Sequence, residues 1–340
     1  MLSRMTAPVR RRMVWLLAGN VGLLLLIFAC LMPGDTVPGA ISRLGTVLVD
    51  TPRNIAPEML AAIGLTAIIW TGAIDLSIGS VMAVGGAVFA MGYSHGAPPL
   101  VCFGSCLLAA GGLVAGNGLL ARWLGIPALI VTLAGLAAYR GLALVLVNVG
   151  VPGFDGNLTV PEDIFRVPGR DWAAWFLLFA VGGAVWCELF GRLPRLWLAH
   201  GSSPAACRLH GLDLSRLAVS AFLFGGFYLG LGATLYVSNQ QTIDPARMAL
   251  GFELSVIAAV VLGGTNIFGG EGSFLGTLLG VVFLYLARQA LIYAFDDPHA
   301  RQAVEGALIL GVIGFDCVLH RTAHRMEELN FVDGEIELSE

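Results

Sequence analysis

Apolar residues in this chain do not alternate with polar ones as in a half-buried strand. They run on in long blocks broken by short polar or glycine-rich stretches. The blocks are Met13–Met32, Ile55–Ile74, Ile78–Tyr93, Leu100–Leu120, Ala128–Val149, Trp172–Phe190, Ser215–Val237, Leu250–Leu262, Phe274–Phe295 and Ala303–Leu319. A helix needs about 20 apolar residues to cross the ~30 Å hydrocarbon layer. Only helices and closed barrels satisfy their backbone there. The pattern predicts an all-α polytopic membrane protein with about ten transmembrane helices. The third and eighth blocks are short and rich in glycine.

Composition agrees. Of 340 residues, 57% are apolar and 12% charged, and mean hydropathy is +0.81. A soluble domain cannot hide that much apolar surface. A soluble enzyme, a disordered chain and a nucleic-acid-binding partner role are all excluded. Every one of the 19 basic residues is arginine. A phosphate-binding P-loop needs a lysine, so any ATP that powers this protein is bound by a partner chain, and no cofactor is expected on this one.

The arginines also orient the spans. Residues 1–12 form a basic N-terminus ahead of a full-length first span, which reads as an uncleaved anchor rather than a signal peptide. Alternation from an inner start places Arg122, Arg192, Arg195, Arg208, Arg216, Arg321 and Arg325 inside with Arg4 and Arg10–Arg12, against Arg43, Arg53, Arg166, Arg170, Arg247 and Arg301 outside. The inner excess predicts that both termini are cytoplasmic. The chain then divides into the N-terminus, a transmembrane domain over 13–320 with an inner loop at 191–214, and an acidic tail over 321–340. That tail carries most of the acid behind the net charge of −4.

Two segments read as broken helices. Trp70–Ser80 puts Asp75 in apolar sequence among Gly72, Gly79, Gly85 and Gly86. Leu262–Ser273 puts Glu271 among Gly263, Gly264, Gly269, Gly270 and Gly272. Matching Gly79-Ser80 to Gly272-Ser273 suggests two related halves, as in many transporters. Irregular backbone at membrane depth must be buried in protein or line a cavity. Asp75, Ser77, Gly79, Asn117, Gly263, Gly264, Gly270 and Glu271 are therefore pathway or gating candidates. The plainer reading of the two acids is as helix caps, since helix starts favour negative charge. Arg140 reads as snorkelling or paired, and Cys102 with Cys106 as helix packing. Asn148, Asn239 and Gln240 offer amides that suit sugar hydroxyls or any outer loop. There is no catalytic constellation and no metal-ligand cluster.

Thr71-Gly-Ala-Ile-Asp-Leu-Ser-Ile-Gly-Ser80, Gly125-Ile-Pro-Ala-Leu-Ile-Val-Thr-Leu133 with Arg140-Gly141, and Ala258–Thr265 with Gly269–Ser273 together resemble the permease subunits of ribose/xylose/arabinose-type ABC importers, a family that includes rhamnose and autoinducer-2 importers. The likeness runs from about Ile55 to Gly314. It departs at Ala73, where the family has glycine, and at Ala128-Leu129, where it has Pro-Phe. The resemblance implies a permease moving a sugar (a pentose, a deoxyhexose or a related small polar solute) across the bacterial cytoplasmic membrane. Its implied partners are a separate ABC ATPase, a second permease subunit and an outer sugar-binding protein. Within the inner loop, Ser202 or Ser203 can cap a short helix with Pro204 at its first position, Arg208 in its last turn and Gly211 ending it. The resemblance makes this the ATPase-coupling segment, with Gly201, Ser203, Pro204, Ala206, Arg208 and Gly211 as its residues. The competing reading is an ion-coupled secondary transporter of a small polar solute, which also uses broken helices. A membrane enzyme lacks the ionisable cluster its chemistry would need.

Overall fold

The computed structural model describes residues 7–31, 36–151, 158–159, 166–167, 170–295, 297, 299–301, 303–307, 309–311 and 314. The acidic tail and the first six residues lie outside them. The first nine apolar blocks lie largely in helices, and two further helices, α7 and α8, form in the inner loop: α1 (Ala7–Leu31), α2 (Val37–Trp70), α3 (Ile78–Ser94), α4 (Pro99–Leu124), α5 (Ala128–Gly150), α6 (Trp172–Phe190), α7 (Leu193–Ser202), α8 (Pro204–Leu209), α9 (Leu214–Gln240), α10 (Phe252–Leu262) and α11 (Phe274–Ala294). The described residues between 299 and 311 are helical as well. Two-residue strands β1 (Leu158–Thr159) and β4 (Thr242–Ile243) pair antiparallel, Leu158 opposite Ile243, and β2 (Arg166–Val167) pairs with β3 (Arg170–Asp171).

Sequence chemistry explains the ends. Thr36 caps α2, accepting from the Gly39 N–H with proline in the first turn. Gly125 ends α4 in the left-handed region at φ 65°. Asp213 caps α9 by accepting from the Ser215 and Arg216 N–H groups at 3.0 and 3.1 Å. The Arg216 N–H above all holds this exposed carboxyl below the usual range.

The described residues of the ten blocks are mostly helical, with 71–74, 250–251 and 295 outside the helices, but the blocks are not ten equal crossings. Among the described residues, α4, α5, α9 and α11 are individually long and apolar enough to span, and α6 with α7 forms a fifth candidate bent by 67°. The second block, expected at Ile55–Ile74, is part of a 34-residue helix that starts at Val37 and stops at Trp70, so the stretch around Arg43 and Arg53 is helix, not loop. α3 and α10 have 17 and 11 residues. Each has one end inside the bundle: α3 starts just after buried Ser77 and α10 ends just before buried Gly263.

α2 is the central rod. Every residue from Ile55 to Trp70 is buried, as a helix apolar all round demands. α9 lies against it so closely that a Cβ on Gly64 would come within 2.7 Å of the Gly225 carbonyl oxygen. Small residues give such contacts where no hydrophobic force drives helices together. α4 packs on the other side of α9, α3 fits between α4 and α5, and α10 and α11 pair with each other. Cys106 behaves as a packing residue, its buried thiol donating to the Gly230 carbonyl at 3.5 Å.

Candidate functional site

The first break, residues 71–77, turns at Gly72 (φ 77°) and climbs beside α5 to the start of α3. Its polar side chains find partners. Asp75 is fully buried. Its Oδ1 accepts from the Ser77 N–H at 2.7 Å and the Ser77 hydroxyl at 2.6 Å. Asn117 of α4 donates Nδ2 to Ser77 Oγ at 2.9 Å and reaches Asp75 Oδ2 at 3.5 Å. The Tyr139 hydroxyl donates to Asn117 Oδ1 at 2.6 Å. Thr132 accepts from the Leu76 N–H at 3.1 Å and donates to the Ile74 carbonyl at 3.3 Å. Asp75 therefore organises the break from within.

Asn117→Leu would strip a donor from the buried Asp75–Ser77 pair. A loss of about 1–3 kcal/mol is expected, read as earlier thermal unfolding in detergent. An unchanged transition would mean that the amide is dispensable there.

The second break, residues 263–273, passes through Gly264, Gly269, Gly270 and Gly272, all at positive φ. Asn266 ties it internally, donating its N–H to the Glu271 carbonyl at 3.1 Å and accepting from the Phe268 N–H at 3.0 Å. Ser273 caps α11 by accepting from the Gly276 N–H at 2.9 Å. Glu188 of α6 accepts from the Phe274 N–H at 2.9 Å. The Glu271 side chain is exposed.

The repeat suggested by the sequence is shifted by three residues. Gly79 lies inside α3 rather than in the break. The residues at the two helix starts are Ser77 and Ser273, each two residues after an acid. Asp75-Leu-Ser77 is thus the counterpart of Glu271-Gly-Ser273. Repeated glycines favour the other register and the helix starts favour this one, although only Ser273 caps its helix through the hydroxyl; Ser77 makes no cap bond on α3.

The two breaks touch. The Gly270 N–H donates to the Trp70 carbonyl at 3.1 Å, and a Cβ on Gly269 would lie 2.6 Å from the Gly72 nitrogen. A third backbone joins them at the end of α7. Ser202 donates its hydroxyl to the Gly270 carbonyl at 3.0 Å, and a Cβ on Gly201 would overlap the Trp70 carbonyl oxygen and the Gly270 nitrogen. Three chains meet here at distances only glycine permits. An aromatic row braces the joint: Trp70 to Phe274 at 4.5 Å, Phe274 to Phe224 at 5.8 Å, and Phe224 to Trp197 at 5.3 Å between ring centroids. Trp197 is fully buried in α7 and donates Nε1 to Ser220 Oγ at 2.8 Å. Gly201 was legible as part of the inner loop. The sequence marks Ser202 only as a helix cap and Trp70 only as the start of a break, because a hydroxyl and a carbonyl carry no sequence signal for this contact.

The inner loop is itself helical. Ser203 ends α7 and caps α8, accepting from the Ala206 N–H at 3.3 Å with Pro204 next. Gly211 (φ 71°) closes the turn. Cys207 is buried while Pro204, Ala206, Arg208 and Leu209 are exposed.

The amide candidates stand apart from this joint. Asn148 donates to the Leu144 carbonyl of its own helix at 2.9 Å. Asn239 pairs with Arg53, accepting from Nε at 3.2 Å and donating to its carbonyl at 2.7 Å. Gln240 is exposed at the end of α9. Arg140 is paired: its Nη1 donates to the Pro245 and Met248 carbonyls at 3.0 and 2.7 Å. Sequence reasoning missed a second buried network. Arg288 of α11 donates to Glu58 Oε1 and Oε2 at 2.6 and 2.8 Å and to Ser255 Oγ at 3.0 Å. Ser255 also bonds Glu58, and Glu305 lies 3.4 Å from Arg288 Nε. Opposite charges in separate apolar blocks were the available signal.

Residues 48–313 match the family model described as branched-chain amino acid transport system / permease component. The chain is 31% identical to the autoinducer 2 import system permease protein LsrC of Salmonella typhimurium over 81% of its length and 80% of the relative's. It is equally identical to the LsrC protein of Yersinia pestis over 80% of its length and 79% of the relative's.

Proposed function

The chain belongs to the branched-chain amino acid transport system / permease component family, and from that premise we propose that it moves a sugar or related small polar solute inward across a bacterial cytoplasmic membrane. It is a multi-pass permease component of an ABC importer rather than an enzyme. The solute assignment follows the motifs shared with sugar importers and the likeness to autoinducer 2 import permeases. A separate ATPase docks on α8 at the cytoplasmic end, where both termini also lie. A second permease subunit completes the pathway, and an outer binding protein delivers the solute.

The observation that carries this reading is the three-way joint. Gly201 and Ser202 end the helix that leads directly into α8, and they sit against both breaks at once. A push on α8 therefore reaches the starts of α3 and α11 together. Backbones packed this closely move as discrete bodies rather than deforming.

The test is uptake into vesicles holding the assembled complex. Labelled pentose or deoxyhexose should enter only when ATPase, binding protein and ATP are all present. Gly201→Val should leave ATP hydrolysis within about twofold while cutting uptake at least tenfold. Uptake of leucine in place of sugar would overturn the solute class. Parallel loss of hydrolysis and uptake, in a variant that still assembles, would remove the joint's coupling role.

A further inference from the structure

Between α9 and α10 the chain does not stay at the surface. It leaves α9 at Gln240, pairs β4 with β1, and then descends through residues 244–251 into the bundle. Two contacts measure how far. Arg140 lies ten residues before the end of α5, about 15 Å down at ~1.5 Å per residue, and its Nη1 holds the Pro245 and Met248 carbonyls. Gly79 is the second residue of α3, and a Cβ there would overlap the Ala249 carbonyl oxygen and come within 2.7 Å of Glu253 Oε2. The turn is fixed in a costly shape, with Ala249 at φ 51° and Gly251 at φ 81°. A non-glycine residue in the left-handed region persists only where its surroundings hold it there. α10 is short because it starts from the bottom of this descent.

At that depth the segment exposes charge. The Arg247 side chain is 87% exposed and lies 3.5 Å from Asp244, itself 32% exposed. Asp244 also accepts from the Ala246 N–H at 2.9 Å. Ala246, Leu250 and Gly251 are exposed beside them. Irregular backbone and an ion pair cannot face hydrocarbon at mid-height. They must face water, polar solute or a second permease subunit.

We propose that residues 244–251 line the aqueous route through the protein, and that Asp244 and Arg247 form a contact for the hydroxyl groups of a neutral, polyhydroxylated solute. The inference rests on the importer reading above. It adds a site on a different segment from the two breaks. A carboxylate supplies acceptors and a guanidinium supplies donors, and an already paired couple presents both without a net charge that would favour an ionic solute. Arg140 is a positioning residue here, holding the turn through two carbonyls.

The experiment uses the full complex in vesicles, with ATP-driven uptake by the unsubstituted protein measured first. Arg247→Cys removes an exposed side chain and leaves the turn's backbone partners in place. It is treated with a membrane-impermeant, positively charged methanethiosulfonate. Leu108→Cys on the exposed face of α4 serves as the lipid-facing control, and the unsubstituted complex gives the background. Arg247→Cys should label readily, Leu108→Cys should stay at background, and Arg247→Cys should take up solute at least tenfold more slowly than the unsubstituted complex before any labelling. Failure of Arg247→Cys to label would overturn the aqueous placement. Uptake by Arg247→Cys equal to that of the unsubstituted complex would overturn the solute contact. Labelling is read independently of transport. A complex that takes up nothing even before substitution would sink the importer reading and the solute contact, while accessibility would still decide the placement.

Discussion

Arg288→Met is expected to destabilise the protein by about 3–5 kcal/mol, the usual cost of removing one partner from a buried ion pair. Glu58 is almost wholly enclosed, its side chain 6% exposed. Both of its oxygens face Arg288 Nη2, and Ser255 shares the cluster. Without the guanidinium, a carboxylate between α2, α10 and α11 keeps one hydroxyl and no counter-charge. Glu305 loses its partner too. Thermal unfolding of the purified protein in detergent should show the loss, together with lower yield. The double variant Arg288→Met, Glu58→Leu should recover most of it, because a well-packed apolar pair can replace a buried ion pair at little cost. If the single variant melts with the parent, the cluster is solvated and contributes little. If the double variant is as poor as the single, the cost belongs to packing rather than to the orphaned charge.

Gly263→Leu should be the most damaging single substitution among the glycines of the second break. A Cβ at 263 would overlap the Gly276 carbonyl group and lie within 2.6 Å of the Thr277 nitrogen. Backbone cannot rotate aside as a side chain can. Gly276 and Gly280 face the mirror problem against Gly263 and Ala259. Leucine would force α10 off α11 and pull the break away from Trp70. Overpacking usually costs 1–3 kcal/mol and more where backbone must move, so a loss of about 3 kcal/mol or above is expected, with uptake abolished. Gly112→Leu and Gly116→Leu on α4 are the controls, since a Cβ at either meets nothing within 4 Å. They should assemble and transport normally. Folded, active Gly263→Leu would mean that α10 and α11 can separate.

The joint was only half visible beforehand. Glycine density at 263–272 and around Asp75 marks irregular backbone, and glycine needs no partner to be noticed. Which backbones approach each other is another matter. Nothing in Gly201 as a letter says that it faces Trp70 and Gly270, residues far away in the chain. Likewise Arg140 was identifiable as a cation that needed a partner, yet its partners are two carbonyls, and every residue has one. Asn239 looked available for solute until Arg53 was found on both of its polar ends.

Hydropathy alone settled that this is a helical membrane protein and roughly where most of its apolar helices lie. Those properties follow from the solvent and from local composition, which a linear string carries in full. The folded chain alone decided that α2 begins as far back as Val37, that Ser77 and Ser273 stand at the helix starts after the two breaks, and that a charged turn descends beside Arg140. Each of these depends on distances between segments remote in sequence, where close packing selects one arrangement and no local preference encodes it.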